Sequence, residues 1–244
     1  MNGDPSATGH DPFTVPPGKR IGCLPRISTP GSWCPLAEEH IEAIPREQWP
    51  ELFGKLRNRD IELLVNDQNG VGSCATESSS KAVEFARIVS GQEYIALNPW
   101  SVYHFTSHGS DRGSSIDENL RHIREHGVCP EYLWPRSKGW RTKPSNAAME
   151  AANHYRIEEF YDVQTIDGFV SCLLSGFPVV FGYRIGGGGH SVLAMDAIDA
   201  SRFLMLNSWG SDWGDSGFGK LLYSQIYWGF GAWALRVPTF SDTI

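Results

Sequence analysis

Helical periodicity dominates the first half of this sequence and strand patterning the second, and that segregation limits the fold more than any other feature. Residues 41–59 carry Ile44, Trp49, Leu52, Phe53 and Leu56 at mostly helical spacing, and residues 61–65 read as a short extended run. Residues 74–89 predict a helix with Ala75, Ala82, Val83, Ala86 and Val89 on one broad face, stopped at Gly91. Residues 117–126 predict a second, with Ile116, Leu120 and Ile123 inward and Gly127 as terminator, and further helices fit 145–155 and 166–174. After Phe177 the pattern changes to short β-rich runs at 179–183, 191–198, 203–206, 217–222 and 232–237, separated by turn residues. Helices followed by strands indicate an α+β protein of two lobes rather than an alternating α/β sheet.

With 244 residues, 41% apolar and 20% charged, the chain can bury a full core. A net charge of −7 argues against nucleic acid as a partner, because phosphate binding needs a basic footprint. The uncharged run 169–183 is too short to span a membrane and contains Gly176 and Pro178. Residues 1–20 lack the apolar core of a signal peptide, so the expected location is cytoplasmic or within an assembly. Residues 1–40 are rich in Gly, Pro, Ser and Thr and read as an extension, either a draped tail or a short pro-segment over the active site. Trp33 and the cysteines nearby argue that part of it packs on the body formed by residues 41–244. The five cysteines (Cys23, Cys34, Cys74, Cys129, Cys172) are odd in number and include no CxxC pair, so neither a disulfide scaffold, a metal site nor a cofactor is expected. Cys23 and Cys34 could close a short loop in an oxidising compartment.

Three stretches carry chemistry. In Gln68-Asn69-Gly70-Val71-Gly72-Ser73-Cys74 a cysteine follows a glycine turn at a predicted helix start, where the helix dipole and free N–H groups favour a thiolate. His190 follows four glycines and opens an apolar strand, a mount for a general base. Asn207, 17 residues on, can accept the imidazole N–H, and Trp209 can cover that bond from water. Taken singly, Cys74 reads as a small buried residue, Gln68 as a loop amide, His190 as structural and Asn207 as a turn residue.

Jointly, these stretches resemble the papain family of cysteine peptidases. Gln68, then Gly72-Ser73-Cys74 opening a helix, matches the nucleophile motif, and His190 matches the histidine at a strand head. The most specific match is Asn207-Ser208-Trp209-Gly210, followed by Trp213-Gly214 and Gly217-Phe218-Gly219. The resemblance implies a helical lobe over about residues 66–165 and an antiparallel β-barrel lobe over about 166–240 plus the preceding N-terminal segment, with the active site in the cleft between. It implies hydrolysis of peptide or protein substrates through an acyl-enzyme, with Cys74 as nucleophile, His190 as base, Asn207 as orienter and Gln68 with the Cys74 N–H as oxyanion hole. Gly113 and Ser114 would pair with substrate backbone, Ser191 would make the neighbouring pocket wall more polar, and Trp209 would border the site. Three departures stand out. Val71 replaces the family cysteine, Ala75 replaces the usual Trp, and no long helical propeptide precedes the domain. They suit a bacterial or viral member. They also admit a papain-fold binding or structural component of a larger assembly; a cell-wall amidase fits less well, because the Trp-Gly pattern is of the papain type.

Overall fold

The computed structural model describes residues 13–56 and 60–238. Its helices are α1 Ala37–His40, α2 Trp49–Leu52, α3 Cys74–Val89, α4 Trp100–Thr106, α5 Ile116–His126, α6 Asn146–Ala152 and α7 Ile166–Leu174. Its strands are β1 Cys23–Leu24, β2 Ser114–Ser115, β3 Glu159–Asp162, β4 Val179–Ile185, β5 Gly188–Ala197, β6 Arg202–Leu206, β7 Phe218–Leu222 and β8 Ala232–Arg236. Six of them form one antiparallel sheet in the order β3-β8-β4-β5-β6-β7, while β1 and β2 pair in parallel apart from it. The architecture is α+β, as the segregated pattern predicts.

The predicted helices 74–89, 117–126 and 166–174 form within a residue of those bounds, and Gly91 and Gly127 both take the left-handed backbone that lets a helix end (φ +77 in each). The predicted helix over 41–59 does not form as one piece. Pro45 precedes a single 3-10 turn at Arg46–Gln48, and α2 stops before Gly54, whose φ is +69. Residues 61–65 lie outside any sheet. The helix α4 and the strand β3, which brings the sheet back before residue 166, carry no clear period in the sequence.

α3 is the axis of the molecule. Every residue from Cys74 to Ala86 is buried, because α4 and α5 pack on one side of the helix and β5 on the other. A helix buried all round must satisfy its polar groups inside the protein. The Ser78 and Ser79 hydroxyls donate to the carbonyls of Cys74 (3.0 Å) and Ala75 (2.7 Å). Lys81 pairs with Glu84, and Glu77 pairs with Arg136 at 2.5 Å.

Candidate active site

Gln68 to Val71 is a tight turn closed by Val71 N–H to the Gln68 carbonyl at 3.0 Å. Asn69 (φ 49) and Gly70 (φ 71) are both left-handed, which asparagine tolerates and glycine adopts freely for want of a Cβ, and Asp67 Oδ1 accepts the Asn69 N–H at 2.8 Å. The turn aims the Gln68 amide inward. Its oxygen accepts from the Ser208 hydroxyl at 2.7 Å, so its two donors point elsewhere: one to Val71 O at 2.6 Å, the other to Arg20 O at 3.0 Å. Cys74 is the first residue of α3, so its N–H has no acceptor within the helix. Its thiol is fully buried. Burial pushes the thiol pKa up to about 11, against backbone hydrogen bonds from Ser191, Gly22 and Ala75.

His190 sits on β5, opposite Tyr183 of β4. The four glycines before it divide. Gly186 (φ +55) and Gly187 (φ +81) make the hairpin turn, whereas Gly188 and Gly189 belong to the strand and leave room for Ile21 and the Cys23 carbonyl. The mount is therefore a rigid ladder rather than a mobile loop. His190 Nε2 lies 2.8 Å from Asn207 Oδ1. That same oxygen accepts the Ser208 N–H at 2.8 Å, which fixes the amide's orientation and hence the tautomer: Nε2 carries the proton. Nδ1 is then a bare lone pair, buried and without a hydrogen-bond partner. The Trp209 ring stacks on the imidazole at 4.4 Å and 21°. Burial lowers the His190 pKa to about 4, partly offset by the Asn207 bond. In this closed form thiol and imidazole are both neutral at neutral pH.

What closes the site is the chain's own N-terminal segment. Gly22 lies between Gly72 and Gly113 with its amide on the Cys74 sulfur, and its carbonyl accepts the Ser114 N–H at 3.0 Å. Cys23 and Leu24 continue in parallel along Ser114 and Ser115. The Arg20 carbonyl receives both the Gln68 amide and the Trp209 indole N–H (3.3 Å). Side chains anchor the strap at both ends. Lys19 pairs with Asp67 (2.5 Å), Arg20 with Asp111 (2.5 Å) and Arg26 with Asp162 (2.5 Å), and the Ile27 and Ser28 amides bond Asp117 (3.0 and 2.8 Å). Residues 13–40 thus pack on the body despite their Gly/Pro content; residues 1–12 of the expected extension lie outside the described residues.

The titrations give the closed form a pH window. Where release of the strap exposes His190, its pKa moves from about 4 back toward 6.5, and release then takes up a proton as pH falls through that range. Opening also lets the Cys74 pKa fall from about 11 toward 9.0, so opening releases a proton as pH rises between those values. Closure is therefore expected to be tightest between about pH 6.5 and 9 and to weaken on either side. Hydroxyl-radical footprinting of the buried Trp209 across pH 4–10 measures this; a flat profile would contradict it.

The structure joins His190 to Asn207 and Trp209, links Gln68 to Ser208 and, through the Arg20 carbonyl, to Trp209, and sets Gly72, ahead of Cys74, across Gly22 from Gly113 and Ser114. Ser191 is placed differently from the expectation. It is fully buried and its hydroxyl bonds Ser78 Oγ at 2.7 Å, so it meets α3 rather than a pocket wall. All five cysteines are free and buried. Sequence reasoning missed the buried polar bracket behind the turn. Glu77 accepts from Asn66 Nδ2 (2.9 Å), Ser73 Oγ (3.1 Å) and Arg136, and Arg136 also donates to Asp67 O (2.9 Å). A glutamate three residues into a buried helix was the signal, since such a charge requires a partner. Among the described residues no group of three or more His, Cys, Asp or Glu could hold a metal ion, and no helix is long and apolar enough to cross a membrane.

No protein-family model matches the chain. Among curated proteins it is similar to an uncharacterized peptidase C1-like protein of Acanthamoeba polyphaga mimivirus, 28% identical over 202 residues covering 66% of this chain and 64% of that one. It is also similar to a cathepsin L-like proteinase of Phaedon cochleariae, 22% identical over 68% of this chain and 58% of that one. The chain thus spans less than two thirds of the length of either relative. Among solved structures it resembles xylellain, a cysteine protease of Xylella fastidiosa, at TM-score 0.70 and 23% identity over 91% of this chain and 97% of that one. A Carica candamarcensis cysteine protease solved with E-64 gives TM-score 0.61 at 19% identity over 74% and 96%. The fold is that of the papain-like cysteine proteases.

Proposed function

We propose that this divergent member of the papain-like cysteine peptidases hydrolyses peptide bonds through an acyl-enzyme on Cys74, and that residues 19–28 hold it latent. The observation that carries this reading is a bare, buried His190 Nδ1 together with two N–H donors, the Gln68 amide and the Trp209 indole, already bonded to the peptide carbonyl of Arg20. Once the strap leaves, the Cys74 proton passes to His190 Nδ1 and the sulfur attacks the substrate carbonyl carbon. The oxygen, now negative, is held by Gln68 Nε2 and the Cys74 N–H, donors fixed before reaction begins. His190 returns the proton to the departing amine, and water then cleaves the thioester by the same route. Asn207 keeps Nε2 protonated throughout, so Nδ1 remains the reactive nitrogen.

In the closed form the Gly22 backbone lies against the Cys74 thiol and between Gly72 and Gly113, so the strap occupies the site as a plug. A fluorogenic peptide screen at pH 4–7 under reducing conditions, together with an epoxide thiol trap, tests the reading. The chain with Gly22→Ala, which loosens the strap, should cleave peptide and take up the trap at Cys74, wild type should do so more slowly, and the same chain with Cys74→Ala should do neither. Cleavage that persists in Cys74→Ala, or a Cys74 that stays unlabelled after the strap is displaced, would overturn it.

A further inference from the structure

We propose that Asp111 is a specificity-determining residue of this cleft, selecting peptides with arginine, and next lysine, at the residue whose carbonyl enters the Gln68 site. The inference rests on the peptidase reading and names its substrate class. The residue occupying that place is an arginine of the chain itself. The Arg20 carbonyl lies on Gln68 Nε2 and Trp209 Nε1, and its guanidinium reaches Asp111, with Nη1 on Oδ2 at 2.5 Å and Nη2 on the Asp111 backbone carbonyl at 3.1 Å. One residue therefore fills a carbonyl site and a carboxylate site at once, and the distance between the two sites is set by the protein.

Asp111 is built for this place. Its Oδ1 accepts from the Gly72 N–H at 2.8 Å and from the Tyr103 hydroxyl at 2.9 Å, which leaves Oδ2 turned to the occupant. The Tyr103 oxygen also accepts the Gly113 N–H at 3.1 Å. One buried tyrosine thus ties the carboxylate to both walls of the cleft, the turn that precedes Cys74 and the edge that carries Ser114. Gly72 has no side chain where one would crowd this bracket: a Cβ there would lie 3.2 Å from Asp111 Oδ1 and 3.3 Å from the Tyr103 oxygen. The two acceptors offered, a carboxylate oxygen and a carbonyl of the same residue, suit the fork of a guanidinium better than the single point of an ammonium. Next to Gln68 in sequence, Asp67 pairs with Lys19 at 2.5 Å, so a second carboxylate meets the basic residue that precedes Arg20.

The experiment uses the full chain with Gly22→Ala, which shifts the strap toward release, and peptides that differ only in the residue before the scissile bond: arginine, lysine, leucine or glutamate. Arginine should be favoured over leucine by roughly two- to tenfold in kcat/KM, the worth of a bidentate but partly exposed charge pair. Asp111→Asn keeps an acceptor for Gly72 and Tyr103 and should bring that ratio close to one, while Asp111→Lys should favour glutamate in the same position. The ratio within one variant cancels any effect on strap release. A second readout needs no turnover: peptide aldehydes ending in arginal or leucinal protect Cys74 from iodoacetamide by adding the sulfur to the aldehyde carbon, the thiol proton passing to its oxygen. Cleavage without preference for arginine, or a preference that survives Asp111→Asn, would overturn the assignment of Asp111 and leave the peptidase reading standing. Asp111-dependent protection by arginal with no peptide cleaved would support the subsite and overturn the peptidase reading.

Discussion

His190→Ala is expected to lower kcat/KM by roughly 10²–10⁴-fold, the range of a lost general acid–base. Asn207→Ala is expected to cost only about two- to tenfold, the worth of one hydrogen bond. The two residues touch, yet they act at different points of the reaction. In the proposed mechanism the imidazole carries the proton from sulfur to leaving group through Nδ1, which has no hydrogen-bond partner in the structure. The amide supplies orientation, and it shares that task. The Trp209 ring lies flat on the imidazole at 4.4 Å, and the β4–β5 ladder fixes the backbone of His190. Without Asn207 the ring keeps its place and loses its preference for one tautomer. Initial rates for both variants, in chains that share Gly22→Ala so that the strap is loosened alike in both, measure the difference. Equal losses would mean that orientation rather than proton transfer limits the site.

The axis of the fold was legible because its signals are local. α3 begins at a glycine turn and ends at a glycine, and its first residue is the candidate nucleophile, so the sequence alone placed Cys74 at a helix start. The strand that carries His190 and the strand end that carries Asn207 read equally well, since β4, β5 and β6 are short apolar runs between turns. What stayed hidden is long-range. Asp111 lies in a polar loop and has meaning only once Tyr103, Gly72 and Arg20 converge on it. Arg20 sits in a stretch of Pro and Gly without periodicity, and three ion pairs and two backbone amide contacts to distant aspartates hold that stretch down. Ser191 was read from its neighbour in sequence, but a strand sends successive side chains to opposite faces, and its face is the one against α3.

The same convergence makes one small substitution in the strap outweigh the loss of an ion pair. Gly22→Ala is expected to raise the rate at which iodoacetamide labels Cys74 by roughly 5- to 150-fold, the equivalent of the 1–3 kcal/mol that an extra methyl costs in a tight space. A Cβ at Gly22 would lie 2.1 Å from the Gly72 carbonyl oxygen and 2.8 Å from its Cα. Gly72 cannot retreat, because its N–H is bonded to Asp111, nor can Gly22 shift the other way, because Gly113 stands against its carbonyl. The methyl is refused only in the closed form; once the strap has left the cleft it meets nothing. The substitution therefore acts on the opening equilibrium and leaves every group of the site unaltered. Lys19→Ala is the contrast. Its pair with Asp67 is partly exposed, and losing such a contact is worth about 0–1 kcal/mol, or less than about fivefold in labelling. If Lys19→Ala exposes the thiol as much as Gly22→Ala does, charge pairing rather than steric fit keeps the cleft shut, and the strap's release would then track ionic strength.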